Sequence, residues 1–396
     1  MKDLILITES GMPCGFAASN YVKLIAKGLL NAGATIKVLI PWHTEDPMHP
    51  LNTETTGTME GFTFEYTTGT PIRPNSPLER IKRIFQANIS TYHSLSKLKS
   101  ENKLDVILYY GNHLENLIIY SIISCILNVP FISFLVEWHP AIPQKNHCRR
   151  LYDHLFNYLV LHTPNAVVLI SHFLEQKAKN IRPFLFPLPE IFKMPILVDP
   201  EIWNNVSPHK QEHPYVLYCA NLDGYFDDAC FVIQAMSLLA EPDIDLMFIG
   251  QASQETRKRL HAISQQTALQ SQLIIHTGYI PEKDLREFYK GSRALLAPLR
   301  RDIRSMARFP SKIADYLMAA RPVVSCSVGE VAEYLCDRES AYLCEQDDAA
   351  AFAESLRLAL TDEARENVAE NGSLLAQRCF DYRIQGRRFL DFIHSL

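Results

Sequence analysis

The chain has 396 residues, 47% of them apolar and 21% charged, and a net charge of −5. That length exceeds one ordinary core and suits two domains, while the acidic balance argues against nucleic acid as a partner. Nine scattered cysteines, with no Cys-x-x-Cys pair and no histidine cluster at zinc spacing, predict reduced thiols in a cytoplasmic protein with no metal site.

Met1-Lys2-Asp3 leads into Leu4–Ile7, too short an apolar run for a signal peptide. Leu4–Thr8 reads as a strand, and an amphipathic helix runs from Ala18 to Leu30. Between them the loop at 9–19 carries Gly11 and Gly15, so a ligand can approach its backbone and the helix start. The loop has neither a Gly-x-Gly-x-x-Gly nor a Walker pattern, and an ordinary strand–helix turn would read the same way. A second strand covers Ile36–Pro41. Residues 79–103 then hold six lysines and arginines against Glu79 and Glu101, with Phe85, Ile89, Tyr92 and Leu95 at helical spacing. This is either a surface helix burying its stripe on the first domain or a peripheral contact with an anionic bilayer.

Val106–Tyr110 reads as a strand, followed by Gly111-Asn112-His113, where the histidine is expected to be structural. The run 117–136 imitates a membrane span, but Asn128-Val129-Pro130 divides it into a buried helix and a strand at 131–136. That strand ends in Glu137-Trp138-His139-Pro140. Ligands bind beyond the carboxyl ends of parallel strands, so these side chains are placed to hold sugar hydroxyls and a ring face. A loop histidine satisfied by its neighbours is the alternative. A strand at 166–170 follows, and a polar, proline-marked linker occupies 200–214.

The strand–helix alternation restarts with strands at 215–220, 246–249, 273–277, 294–299 and 323–326, the pattern of parallel sheets covered by helices. Leu374–Leu396 is expected to form one amphipathic helix. The densest chemistry lies at 310–325. Ile313, Tyr316, Leu317 and Ala320 have helical spacing, and Pro322 closes the helix before the next strand. Lys312 and Asp315 stand three apart and project from the first turn. The cation suits a phosphate and the carboxylate a sugar hydroxyl, so the segment reads as a nucleotide-sugar site.

Pro310-Ser311-Lys312, an acidic residue before Tyr316-Leu317, then Pro322-Val323-Val324 resembles retaining glycosyltransferases of the GT-B fold, family GT4. The Phe309-Pro310-Ser311-Lys312 entry is similar to a subgroup lacking the first of the family's two glutamates. Asp315 matches the second glutamate with a shorter carboxylate, and Ala307 stands where the first would fall. The run 195–199 resembles the family's proline-to-aspartate strand just before the linker. The resemblance implies an α/β protein of two Rossmann-like domains with parallel sheets facing across a cleft. Residues 1–203 would be the acceptor side and 204–373 the nucleotide-sugar side, with 374–396 a helix crossing back to the first domain.

It further implies a hexosyltransferase moving sugar from a nucleotide-sugar donor to a glycan or lipid-linked acceptor with retention of configuration. No metal or cofactor is expected, and the setting would be cell-surface polysaccharide synthesis, in the cytoplasm or peripheral at the inner face of the membrane. Gly15 and Phe16 would lie against the donor diphosphate, together with Lys312, Ser311 and Arg304, the last chosen among Arg300, Arg301, Arg304 and Arg308. Asp315, Tyr279 and Ile280 would hold the nucleoside, Asn221 would line the donor side, and His139 with Glu137 would carry the catalytic role. Two other readings stay open. Ala307 suggests a non-catalytic GT-B protein that binds a nucleotide sugar or a partner transferase, and Glu137 with His139 would be the acid–base supply of a nucleotide-sugar epimerase.

Overall fold

β-branched and aromatic runs bounded by glycine, proline and asparagine become strands here, and the amphipathic runs between them become helices. The computed structural model describes residues 2–142, 146–180, 188–239, 241, 243–267, 269, 272–345 and 348–396. It divides into two units, Met1–Leu197 with Tyr382–Leu396, and Val198–Asp381.

The first unit is built in chain order from β1 (Asp3–Thr8), α1 (Ala17–Asn31), β2 (Thr35–Ile40), the strands β3 (Thr56–Met59) and β4 (Phe62–Tyr66), and α2 (Pro77–Ser100). It continues with β5 (Val106–Tyr110), α3 (Leu114–Leu127), β6 (Phe131–Leu135), α4 (His147–Val160), β7 (Ala166–Leu169), α5 (His172–Lys179) and β8 (Glu190–Lys193). The sheet order is β3-β4-β2-β1-β5-β6-β7-β8, parallel except for the antiparallel β3. Order reverses between β1 and β5, which makes their carboxyl ends the switch point where open α/β sheets bind ligands.

The second unit contains β9 (Tyr215–Cys219), α6 (Phe226–Leu239), β10 (Asp245–Ile249), α7 (Gln254–Gln266), β11 (Leu273–His276), α8 (Glu282–Gly291) and β12 (Ala294–Ala297). Then come α9 (Ile303–Ala307), α10 (Lys312–Met318), β13 (Val323–Cys326), α11 (Glu330–Tyr334), β14 (Tyr342–Cys344), α12 (Ala349–Thr361) and α13 (Arg365–Phe380). Its sheet is wholly parallel, β11-β10-β9-β12-β13-β14, with the switch point between β9 and β12. Core strands such as β12 and β13 are buried along their whole length, as a sheet covered on both faces requires.

Several local expectations change. The β3–β4 pair, β8 and β14 arise from short segments with little periodicity to read. Residues 195–199 form no strand; Val198 makes only an isolated bridge to Asp381, and Pro200–Trp203 coil into a 3₁₀ turn that buries Trp203. The single helix expected at 374–396 is two, because Asp381 leaves helical geometry at φ −56°, ψ 121°. The second of these, α14 (Tyr382–Ser395), packs on α1, where a Cβ at Gly386 would lie 2.3 Å from the Gly28 carbonyl carbon. Only a glycine pair lets the two backbones approach so closely. Among the described residues no helix is long and apolar enough to cross a membrane.

Candidate functional site

In the second unit the switch point is occupied by Lys312. Its Nζ donates to the Cys219 carbonyl at 2.9 Å and lies 4.3 Å from the Tyr218 ring centre. The Tyr316 hydroxyl, on the same helix, accepts from the Cys219 N–H at 2.9 Å. Both backbone groups at the end of β9 are thus held by α10, whose Ile313, Ala314 and Leu317 are buried. Burial lowers the Lys312 ammonium to about 8; Cys219 and Asp228 resist that shift and Arg308 adds to it. An ammonium so poorly solvated gains from any anion that reaches it.

Beside it, the guanidinium carbons of Arg304 and Arg308 lie 4.4 and 4.7 Å from the centre of one ring, Tyr225, and Arg308 also donates to the Tyr225 hydroxyl. The Nε groups of both arginines are buried without a hydrogen-bond partner. Asp228 is the carboxylate among them. Burial raises its pKa, against the pull of Arg308, Lys312, Arg300 and Arg304. Four cations thus surround one carboxylate, with guanidinium donors to spare. Asn221 begins the turn after β9: its carbonyl accepts from the Gly224 and Tyr225 N–H groups at 3.1 and 2.9 Å, and its side chain is exposed. Ser311 occupies the cap position of α10, but its side chain makes no capping bond.

Asp315 rises to about 7, chiefly through burial, with Glu282 pushing the same way and Arg286 opposing. Two side chains of α8 thus act on Asp315 through charge. Just before α8, Gly278 turns the chain at φ +106° and Tyr279 is half exposed, with Ile280 following. Lys312, Arg304 and Asp315 follow the central strand β12, whereas Tyr279 and Ile280 follow the edge strand β11 of the same unit.

In the first unit His139 is buried in a 3₁₀ turn after β6. Its Nδ1 donates to Asn157 Oδ1 at 2.9 Å, and its ring stands edge-on to Phe156 at 4.9 Å. Burial lowers its pKa, while Glu137, Asn157 and Asp153 counter that shift. That direction favours the neutral imidazole, whose Nε2 is then an acceptor. Asn157, and not Glu137, holds the ring; Glu137 acts on it through charge. Gly15 precedes α1 so closely that a Cβ there would fall 1.9 Å from Ser19 Oγ, and Phe16 at the helix cap is exposed.

The first unit's switch point holds a constellation that the sequence reading left out. Glu9, just after β1, accepts from Tyr109 Oη at 2.7 Å, the Asn112 N–H at 3.0 Å and Asn116 Nδ2 at 2.7 Å, and pairs with His113 Nδ1 at 2.5 Å. The pair holds the carboxylate below its ordinary range against desolvation, and raises the imidazole. The Trp42 ring lies against His113 at 4.0 Å, tilted by 30°. The signal available was the position of Glu9 and His113, one and three residues past two neighbouring strands. Among the described residues no group of histidine, cysteine and carboxylate side chains could hold a metal ion.

Residues 199–374 match the family described as Glycosyl transferases group 1. No curated protein matches the chain. Among solved structures, sucrose-phosphate synthase from Thermosynechococcus elongatus superposes with a TM-score of 0.73 at 13% identity, over 100% of this chain and 99% of that one. The UDP-forming alpha,alpha-trehalose-phosphate synthase from Burkholderia xenovorans, in complex with glucose-6-phosphate, gives 0.70 at 13% identity, over 99% and 100%. HepE of Anabaena in complex with UDP and glucose gives 0.67 at 14% identity, over 100% of both chains. At such identities these likenesses show the fold, GT-B. Residues 199–374 thus carry a glycosyl transferases group 1 domain, and that match supports a glycosyltransferase.

Proposed function

We propose that the protein moves a hexose from a nucleotide-sugar donor to a glycan or lipid-linked acceptor with retention of configuration, in cell-surface polysaccharide synthesis at the cytoplasmic side of a membrane. The observation that carries the donor part is Lys312 and Asp315, one helical turn apart at the second unit's switch point, flanked by the Arg304–Tyr225–Arg308 stack. Lys312 and the two arginines would neutralise the charge that develops on the leaving diphosphate. Asp315 would grip the ribose, with Tyr279 and Ile280 against the base. His139, neutral and anchored by Asn157, would accept a hydrogen bond from a sugar hydroxyl near the reacting carbon. HepE crystallised with UDP and glucose supports a UDP-sugar among the donors to try first.

Calorimetric titration with UDP, GDP and ADP tests this reading. One nucleotide should bind, and Lys312→Ala and Asp315→Ala should each abolish it. Binding of none would remove the donor site. A second reading, a non-catalytic GT-B protein that binds a nucleotide sugar, is favoured by Ala307, which is fully buried in α9 and brings no carboxylate to the site. Turnover of the donor that binds would exclude it.

A further inference from the structure

We propose that the outer face of α2, α3 and α4 is a docking surface for an anionic lipid bilayer. α3 packs between the other two helices. Asn88 on α2 bonds Asn116 and Tyr120 of α3, and Tyr152 on α4 bonds Glu115 and the Leu114 N–H. These bonds align the inner rows and leave the outer ones uncovered. Leu78, Ile81 and Phe85 on α2 are 79%, 66% and 67% exposed, Ile122 and Ile126 on α3 are 54% and 63%, and Leu151 on α4 is 71%. Apart from Glu115 and Cys125, every exposed residue of α3 is an isoleucine. The stripe expected at Phe85, Ile89, Tyr92 and Leu95 is therefore divided, with Leu95 buried and Phe85 and Ile89 facing out.

A helix apolar on its outer as well as its inner side needs a cover. Charge decides which. The three helices hold seven lysines and arginines against three carboxylates, in a chain whose net charge is −5. A second copy meeting the same face would bring those cations together. An anionic bilayer takes both the isoleucines and the cations. The inference deepens the acceptor part of the proposed function: α3 begins at Leu114, next to His113 at the first unit's switch point. A lipid-linked acceptor could stay in its leaflet while its head group reached that edge.

The test is flotation of the full chain with vesicles of equal parts phosphatidylcholine and phosphatidylglycerol, and with phosphatidylcholine alone. The protein should float with the anionic vesicles only. Ile122→Ser with Ile126→Ser, and separately Lys82→Glu with Arg150→Glu, should each weaken partitioning roughly tenfold or more. Thermal melting should be unchanged, because these side chains are exposed. Flotation that is absent, equal on neutral vesicles or indifferent to both variants would overturn the proposal. So would self-association that Ile122→Ser abolishes. UDP titration of the same proteins separates the two readings, because vesicle binding without nucleotide binding would sink the donor site and leave the docking surface standing.

Discussion

Lys312 and Asp315 sit one helical turn apart with their titrations drawn towards each other, the ammonium lowered to about 8 and the carboxyl raised to about 7 by the burial they share. Between those values both are charged. Below about 7 Asp315 takes a proton, and above about 8 Lys312 gives one up. A bound diphosphate restores the Lys312 proton, and a ribose gripped by a carboxylate expels the one on Asp315. Nucleotide binding should therefore take up protons on the alkaline side and release them on the acid side. Titration in two buffers of different ionisation heat reads that change of sign, and a proton count of zero at both ends would contradict it.

The arginine stack makes a second prediction. A charge-assisted hydrogen bond to phosphate contributes about 1.5–3 kcal/mol, so Arg308→Met should weaken nucleotide binding roughly tenfold to a hundredfold. Tyr225→Phe removes only the hydroxyl that Arg308 reaches and keeps the ring both guanidinium groups cover. It should cost little beside Arg308→Met. Equal losses in the two variants would mean that the hydroxyl, and not the charge, organises the site.

The architecture was legible because long amphipathic helices and apolar strands repeat their periods many times over. The strands β3, β8 and β14 were not, since three or four residues carry too little pattern and depend on their neighbours for pairing. Lys312 and Asp315 could be read because their spacing on one helix is local. Arg308 on Tyr225 spans 83 positions and Glu9 on His113 spans 104, distances over which only the fold can bring residues together. The break at Asp381 separates two segments that are both helical by pattern, so periodicity alone runs across it.

The Glu9–His113 pair gives the first unit a pH-dependent stability. Glu9 is depressed, so its contribution is present above its unfolded pKa and lost as pH falls through the folded value. His113 is raised, so its contribution is complete below its unfolded pKa and lost as pH rises through the folded one. The pair should stabilise most at mildly acidic pH. Glu9→Gln keeps Oε1 for Tyr109 and Asn116 but turns an amino group on the Asn112 N–H and leaves His113 without its counter-charge, and it should cost about 3 kcal/mol there. Denaturant melts of both proteins at mildly acidic and mildly alkaline pH check this, with the difference expected to shrink on the alkaline side.

His139 depends on Asn157 for its tautomer. Asn157→Ala frees Nδ1, so the proton is no longer fixed away from Nε2. The turnover rate should fall while UDP affinity stays near the parent value, because the two residues belong to the first unit. Asn157→Asp should instead raise the imidazole's pKa and move the acid limb of the rate profile upward. A loss of UDP affinity equal to the loss of rate would make the effect structural.

The C-terminal helix offers the sharpest steric test. At Gly386 a Cβ would meet the Gly28 carbonyl carbon at 2.3 Å and its oxygen at 2.4 Å, and both are backbone atoms that cannot rotate away. Gly386→Ala must therefore push α14 off α1, at a cost of at least about 1–3 kcal/mol. The neighbouring Ile384 is 42% exposed and serves as the control. Limited proteolysis should cut near Asp381 much faster in Gly386→Ala than in Ile384→Ala, with a lower melting temperature in the former alone. Equal cutting rates would show that the helix is held by its aromatic contacts, Phe389 against Phe134 and Phe192, and not by the glycine crossing.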